Sequence, residues 1–295
     1  MDDNIKSYLE DLSSFSKRYI NDETMADFFN TIKFADDYLT PQEIKKHEEL
    51  FNQIKPFHKK YLEDRIRMMS LVSHDIELFE AKHYSENISI YQDPNICKKD
   101  KMIVICFCGR VNRMYLSLCI FLQAFSSKAF DIILLRDPGH FNFLNGIGDY
   151  ALNLRGLTEK IEKDFQLHAY KKIICIGASS GGAAALYASL LFKAHKGICL
   201  GGRHPSKDTK LKKIKNINLD FFAFDKAIDK TEKVKTKLMC VYGNDFKPDK
   251  LGALSITEHL KSIEIIEVKP CSEHNLLLNL TKQGSLKPFI DRIIT

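Results

Sequence analysis

Residues 171–192 read KKIICIGASSGGAAALYASLLF. An apolar run over 172–177 is typical of a buried strand, and the alanine- and leucine-rich stretch over 181–194 is typical of a helix. Between them, GASSG fits the pattern G-x-S-x-G, in which a strand turns sharply into a helix. Such a turn strains the central residue and needs small neighbours. The motif therefore predicts that Ser179 presents an exposed, reactive hydroxyl.

Two phosphate-binding patterns compete with this interpretation and fit poorly. A Walker-type loop needs lysine after its last glycine, and here Gly182 is followed by Ala183. A dinucleotide loop needs G-x-G-x-x-G, whose second glycine is absent. A third interpretation is that GASSG is only a tight strand-to-helix turn without a catalytic role. The pentapeptide alone does not distinguish this from a nucleophile turn, so the residues at other strand ends are needed.

Beyond residue 85 the chain alternates between short β-branched runs and longer helical stretches. This alternation predicts an α/β fold with a mainly parallel sheet and helices on both faces. Ligands then bind at the carboxyl ends of the strands. The predicted strands are 87–91, 102–107, 131–136, 172–177, 197–201, 237–242 and 263–268. The predicted helices are 112–126, 149–166, 181–194, 251–261 and one near 276–293.

A serine nucleophile needs a base, and the base needs an acid that fixes its tautomer. Both residue types follow later strands. The run KLMCVY leads into GNDFKPD, which supplies Asp245, and IEIIEV leads into KPCSEHN, which supplies His274. The chain order is serine, acid, histidine.

These motifs and their order resemble the α/β-hydrolase superfamily, and the resemblance covers about 87–295. It implies that Ser179 is the nucleophile, His274 the general base and acid, and Asp245 the orienting acid. Many members place more residues between the glycine and the acid, so Asp249 and Asp225 stay open as alternatives.

An oxyanion hole requires backbone amides next to the serine. The amide of Ser180 is expected to provide one, because the helix begins there. The resemblance implies a second amide in the loop CGRVNR, from Cys108, Gly109 or Arg110. The superfamily's H-G-G-G version of this loop is absent.

Three further residues are candidates for substrate binding. Arg113, like Arg110, suits an anionic or sugar-bearing substrate, although a surface salt bridge explains an arginine at a helix start equally well. Arg136 follows the strand 131–136 and lies on the same rim. His204 follows a strand end. Residues 202–236 contain ten basic and five acidic residues and form a lid-like insertion.

Residues 1–84 show helical spacing and are predicted to form a small N-terminal subdomain before the catalytic domain of 85–295. Thr40, Pro41 and Glu43 form a helix-start signal. This segment is expected either to cover the main sheet or to provide a homo-oligomer contact.

Composition narrows the class of protein. The 295 residues are 44% apolar, and no run approaches the length of a membrane span. The N-terminus lacks a signal-peptide layout, and the eight cysteines lie largely in strand-like runs, so we expect a cytoplasmic protein with reduced thiols.

The distribution of charge and the lack of metal-binding motifs argue against a nucleic-acid partner and a metal cofactor. Residues 1–90 hold 12 basic and 18 acidic residues, so the remainder is basic, but its lysines are scattered without an aromatic stacking pattern. We therefore expect no nucleic-acid partner. Cys271 and His274 form a lone C-x-x-H, and no metal or organic cofactor is expected.

Together the residues predict a serine hydrolase that cleaves an ester or thioester through an acyl-enzyme. The substrate is expected to be a small-molecule or glycan acyl ester. An acyltransferase with a sugar or alcohol acceptor would use the same residues. A binding protein that has kept the fold is an alternative of another class.

Overall fold

The structure is a computed structural model that describes residues 25–50, 56–148, 150–214, 219–228 and 235–295. Eight strands form one sheet in the order β1-β2-β4-β3-β5-β6-β7-β8. The strands are β1 Glu80–Ser85, β2 Ile88–Gln92, β3 Met102–Phe107, β4 Phe130–Leu135, β5 Ile173–Ala178, β6 Lys196–Leu200, β7 Lys237–Gly243 and β8 Ile263–Val268.

Strand β2 alone runs against the rest of the sheet. It pairs antiparallel with both β1 and β4. Every other neighbouring pair is parallel. The carboxyl ends of β3, β5, β6, β7 and β8 therefore meet at one edge, as a parallel sheet requires.

The described helices cover both faces of this sheet. They are α1 Met25–Tyr38, α2 Pro41–Lys46, α3 Pro56–Val72, α4 Leu118–Leu122, α5 Leu154–Phe165, α6 Gly182–Leu191, α7 Ala223–Ile228, α8 Lys247–Thr257, α9 Leu276–Lys282 and α10 Leu286–Ile294. Strand β3 shows why both faces must be covered. Val104 and Cys106 belong to the core on one face, and Ile103, Ile105 and Phe107 belong to the core on the other.

The α/β prediction with a mainly parallel sheet is confirmed, and all seven predicted strands are present. Sequence reasoning missed β1, whose residues EAKHYS alternate between exposed and half-buried at the sheet edge. The predicted helix 112–126 shrinks to α4, because Asn112 and Tyr115 adopt positive φ angles of 58° and 66°. The predicted last helix is divided into α9 and α10 at Gly284, whose φ angle of 65° is in the left-handed region.

The described part of residues 1–84 packs against the sheet. Ala35, Leu39, Ile44 and Leu62 are buried in the same core as strand β3. Thr40 and Glu43 form the capping box of α2. These helices therefore cover the sheet, whereas an oligomer contact stays a prediction. Residues 1–24 and 51–55 lie outside the described residues.

The predicted boundary at residue 84 falls inside strand β1, so the helical description of 1–84 is wrong for its last residues. The insertion 202–236 lies between β6 and β7 and contains α7. Its segments 215–218 and 229–234 lie outside the described residues, and its role as a lid stays a prediction. None of the described helices has the length and apolar character needed to cross a membrane.

Candidate active site

Ser179 lies on the turn that joins β5 to α6. Its φ of +50° is in the left-handed region, which is unfavourable for a serine. The residue is half-buried at the carboxyl edge of the sheet. The turn thus holds the hydroxyl out of the strand and in front of the helix start, as the motif predicts.

The glycines of the motif are explained by close packing around this turn. A Cβ on Gly181 would lie 2.3 Å from the carbonyl oxygen of Phe107, and one on Gly177 would lie 2.2 Å from that of Gly181. Both contacts are with backbone atoms, which cannot move aside as a flexible side chain would. The turn therefore tolerates only glycine at these two positions.

His274 and Asp249 complete a hydrogen-bonded chain with Ser179. The Oγ of Ser179 lies 2.9 Å from Nε2 of His274. Nδ1 of His274 lies 2.8 Å from each carboxylate oxygen of Asp249. His274 comes from the loop between β8 and α9, and Asp249 from the first turn of α8. Three separate strand ends thus supply the three side chains.

Asp245, our first choice for the acid, does not contact His274. It is exposed, and its Oδ1 accepts a hydrogen bond from Asn244 instead. Helix α8 begins at Lys247, with Pro248 in its first turn, and this start turns Asp249 inward. Asp225 is also excluded, because its carboxylate contacts Tyr187 and His259. The alternative, Asp249, is the acid that lies at hydrogen-bonding distance from His274.

Burial shapes the electrostatics of this acid. Asp249 is 1% exposed, and burial raises the pKa of its carboxyl group above the ordinary value of 3.8. The hydrogen bond from His274 and the charge of Arg203 lower the pKa in part. A buried carboxylate with one strong partner favours the imidazole tautomer that carries its proton on Nδ1. Nε2 is then free to accept the serine proton.

Tyr115 is a site residue that sequence reasoning missed. Its hydroxyl donates to the carbonyl oxygen of Leu200 at 3.2 Å and lies 3.3 Å from Nε2 of His274. The two rings meet edge to face with centroids 5.1 Å apart. Burial, followed by the charge of Asp249, raises the pKa of Tyr115 well above 10. No motif in RVNRMY points to this role.

Hydrogen bonds within the loop after β3 narrow the choice of oxyanion donor. The amide of Gly109 donates to the carbonyl oxygen of Arg113 at 2.9 Å, and that of Cys108 donates to Leu135 at 2.9 Å. Both amides are therefore occupied, and Gly109 was a wrong choice. The amide of Arg110 has no protein acceptor in the described part of the chain.

The amide of Ser180 is the other available donor. It lies in the first turn that follows β5, where backbone N–H groups lack an acceptor within the helix. The loop after β3 reaches the serine directly, since a Cβ on Gly109 would lie 3.4 Å from Cβ of Ser179. Ser180 follows the nucleophile directly, and Arg110 is the next residue along the loop that reaches it, so their amides are the two candidate oxyanion donors.

Arg113 braces this loop, and it also lines the groove described below. Its Nη1 lies 3.0 Å from Oδ2 of Asp36, and its Nε contacts Asp37. Both aspartates belong to α1, and Asp36 also binds Arg65 at 2.9 Å. Since the carbonyl oxygen of Arg113 accepts the Gly109 hydrogen bond, the N-terminal helices hold the loop in shape.

The remaining predicted residues lie away from the serine or are already paired. Arg136 is 3% exposed, and its Nη2 donates to the carbonyl oxygen of Asp37 at 2.7 Å. His204 is fully buried beside His259, outside the serine site. The predicted substrate-binding role of His204 therefore lacks support in the geometry, whereas Arg136 lines the groove described next and its role stays a prediction. The side chain of Arg110 pairs with Asp208 at 3.1 Å.

An open groove of about 850 Å³ runs beside the loop after β3. Polar side chains from α1, the β1–β2 turn and the loops after β3 and β4 line it, among them Lys33, Asn87, Arg110, Asn112 and His140. Arg110, whose amide is a candidate oxyanion donor, is part of this lining, whereas Ser179 is not. The groove is suited to a polar ligand rather than a long alkyl chain.

The order of the strands, the single antiparallel strand β2 and the serine turn after β5 define the α/β-hydrolase fold. No family model matches the chain, and no match was found among curated proteins. Solved structures with similar folds are named as hydrolases.

One of these is S-formylglutathione hydrolase from Staphylococcus aureus, with 12% identity and a TM-score of 0.49 over 74% of this chain and 99% of that one. A second is dienelactone hydrolase from Anabaena variabilis, with 17% identity and a TM-score of 0.44 over 71% and 94%. A third is a fluorophosphonate-binding serine hydrolase from S. aureus, with 12% identity and a TM-score of 0.46 over 74% and 98%.

Proposed function

We propose that the protein is a serine hydrolase that cleaves an acyl ester or thioester through an acyl-enzyme on Ser179. The observation that carries the proposal is the unbroken chain from Asp249 through His274 to Ser179, with distances of 2.8 and 2.9 Å. A nucleophile, a base and an orienting acid at hydrogen-bonding distance are what acyl transfer to serine requires.

In the first half-reaction, Ser179 Oγ attacks the acyl carbonyl carbon and its proton passes to Nε2 of His274. The Nδ1–H of His274 meanwhile stays bonded to Asp249, which stabilises the imidazolium. The amides of Ser180 and Arg110 stabilise the oxyanion. His274 then returns the proton to the leaving alcohol or thiol, and the acyl group remains on Ser179.

In the second half-reaction, water replaces the leaving group. His274 takes a proton from the water as it attacks the acyl carbon, and Ser179 regains its proton when the acid departs. The hydroxyl of Tyr115 faces Nε2 from the other side and holds the imidazole plane. It keeps its own proton during the cycle, because its pKa is well above 10.

We further propose that the substrate is a polar acyl ester, with its polar portion in the groove beside Arg110. The groove is lined by amide, carboxylate and basic side chains that can hydrogen-bond to hydroxyl-rich molecules. Comparison of acetylated sugars with alkyl esters of equal acyl length tests this. Equal kcat/KM values for both series would contradict the polar-substrate proposal.

The decisive test of the nucleophile is labelling with a fluorophosphonate probe. Wild-type protein is expected to be labelled and Ser179→Ala to be inert. Ser180→Ala is a matched control, because it changes the neighbouring hydroxyl but keeps the backbone amide. Labelling of Ser179→Ala would refute the assignment, and failure of the wild type to react with the probe or with short acyl esters would favour a binding protein.

The same assay separates hydrolysis from transfer to an alcohol. Hydrolysis predicts free acid as the main product even with added sugar or alcohol, whereas faster formation of an acylated acceptor would establish an acyltransferase. We also keep the prediction of a cytoplasmic enzyme. Its support is that all eight cysteines are free and seven of them are buried.

A further inference from the structure

Three side chains from separate segments converge on the side of the molecule that carries the β6–β7 insertion. His204 lies in the loop after β6, Asp225 on α7 within the insertion, and His259 just beyond α8. Each offers one ligand atom, and the three atoms lie within 4.8 Å of one another. Sequence reasoning named His204 as a substrate-binding candidate and Asp225 as an alternative acid of the serine site, and it gave His259 no role.

We propose that His204, Asp225 and His259 bind a divalent transition metal ion, with zinc as the physiological ion, and that this ion fastens the insertion to the body of the protein. Nε2 of His204, Nδ1 of His259 and a carboxylate oxygen of Asp225 would be the ligands. A water molecule would complete a tetrahedral set.

The spacing of these atoms matches a zinc site. Zinc binds imidazole nitrogen and carboxylate oxygen at about 2.0–2.2 Å, so tetrahedral ligands lie about 3.3 Å from each other. Nε2 of His204 is 3.6 Å from Oδ1 of Asp225, and Nδ1 of His259 is 3.1 Å from Oδ2. Each imidazole nitrogen therefore lies close to that separation from one carboxylate oxygen of Asp225, although the two distances run to different oxygens.

An unpaired polar atom independently indicates a ligand here. His204 is fully buried, and its Nε2 has no hydrogen-bond partner. Leaving such an atom unsatisfied costs about 1–3 kcal/mol. The other ring nitrogen, Nδ1, lies 2.8 Å from Oγ of Ser206 and 3.3 Å from its amide. The Ser206 amide donates to Nδ1 in this arrangement, so metal binding requires the tautomer in which Nδ1–H donates to Oγ of Ser206 and leaves the Nε2 lone pair free to coordinate.

The surroundings supply the outer partners that metal ligands commonly have. The hydroxyl of Tyr187 donates to Asp225 and orients its carboxylate.

The rings of His204 and His259 are stacked, with centroids 3.8 Å apart and planes 10° apart. Parallel rings cannot both direct a lone pair at one ion. Binding therefore requires the ring of His259, which is 20% exposed, to turn out of the stack.

The donor set favours zinc over the alkaline-earth ions. Imidazole nitrogen is a preferred ligand of zinc, copper, nickel and iron, whereas magnesium and calcium prefer oxygen ligands.

The proposed metal site is also distinct from the serine site. Asp249 and His259 are ten residues apart on and just beyond α8, which corresponds to about 15 Å along a helix. An ion here would join segments rather than take part in acyl transfer.

Zinc titration of the chelator-treated full-length protein tests the proposal. We expect one equivalent of zinc to bind to the wild type. Loss of an outer partner weakens metal affinity by about 10- to 100-fold. His259→Ala removes a ligand and is therefore expected to weaken zinc affinity by more than this. His259 is partly exposed, so this variant is expected to fold, and circular dichroism checks that it does.

His168→Ala is the matched control, because His168 is an exposed histidine in another part of the molecule. It is expected to bind zinc as the wild type does. Ser206→Ala should weaken zinc affinity by about tenfold through the loss of an outer partner. Failure of the wild type to bind zinc, or equal affinity in His259→Ala, would overturn the site.

Limited trypsin digestion tests whether the ion fastens the insertion. Zinc is expected to slow cleavage at the lysines of 202–236 several-fold in the wild type and to leave the rate unchanged in His259→Ala. If zinc binds at one equivalent but the cleavage rate does not change in the wild type, the fastening role is wrong.

Discussion

Replacement of Asp249 by asparagine is the sharpest test of how the site works. Both carboxylate oxygens of Asp249 lie 2.8 Å from Nδ1 of His274, and no other described acid reaches this ring. Asparagine keeps the size of the side chain but offers an NH₂ group in place of one oxygen. It therefore permits the tautomer that carries its proton on Nε2, where Ser179 needs an acceptor.

The expected loss follows from this change of tautomer. In a serine–histidine–acid site, the same replacement lowers kcat by about 10⁴-fold, and each tenfold corresponds to about 1.4 kcal/mol of activation free energy. Asp249→Asn should thus cost about 5.5 kcal/mol in the transition state. Asp245→Asn should have less than a twofold effect, because Asp245 is exposed and has no contact with His274.

Rates of fluorophosphonate labelling and of hydrolysis of an activated ester would measure both variants. A cooperative unfolding transition in urea would show that each variant is folded. The reasoning would be refuted if Asp249→Asn kept more than a tenth of the wild-type rate. It would also be refuted if Asp245→Asn lost as much activity as Asp249→Asn.

Three further outcomes are expected. Since burial raises the folded-state pKa of Asp249, the native state binds the proton more tightly than the unfolded state, so this residue's contribution to stability falls as pH rises through that pKa. Asp249→Asn should therefore gain stability over the wild type at pH 7 and lose that gain in acid, as urea unfolding at several pH values would show. Tyr115→Phe should lower kcat about tenfold, because it removes a hydrogen bond. It should not change the shape of the pH–rate profile up to pH 9, because the pKa of Tyr115 is well above 10. Lys101→Met should lower the free energy of unfolding in urea by about 3–5 kcal/mol, because it leaves the buried Asp131 without its ion-pair partner, which lies at 2.7 Å. The double variant Lys101→Met, Asp131→Leu should recover part of that loss.

Much of the site could be predicted because its motifs are local. The turn around Ser179 requires small residues within a few positions, and His274 follows a strand that is visible in the sequence. The acid was harder to assign, because Asp245 and Asp249 both follow β7. The choice depends on where α8 begins, and the helix start at Lys247 is fixed by packing as well as by Pro248.

Other features depend on contacts between distant segments. The amide of Gly109 is occupied because the loop after β3 folds back on itself through residues with positive φ, such as Asn112. His204 meets His259 only through the arrangement of β6 and α8. Neither contact leaves a periodicity or motif in the chain. Sequence reasoning therefore named Ser179 and His274, which the structure brings together, but not their surroundings.

The bracing of the β3 loop by α1 affects how this protein can be divided for experiments. The change of composition near residue 85 suggests a place to begin a catalytic fragment. Such a fragment would lose β1 and the acids that hold Arg113. It would also uncover the sheet face that five buried side chains protect, namely Leu39, Ile44, Leu62, Met69 and Phe79.

At about 2 kcal/mol for each buried side chain, those five contribute about 10 kcal/mol, which is comparable to the whole stability of a typical domain. A shortened protein would thus fail for two separate reasons, an exposed apolar face and an unsupported oxyanion loop. Inactivity of such a fragment would say nothing about Ser179. Expression plasmids for this protein should therefore retain residues 1–84.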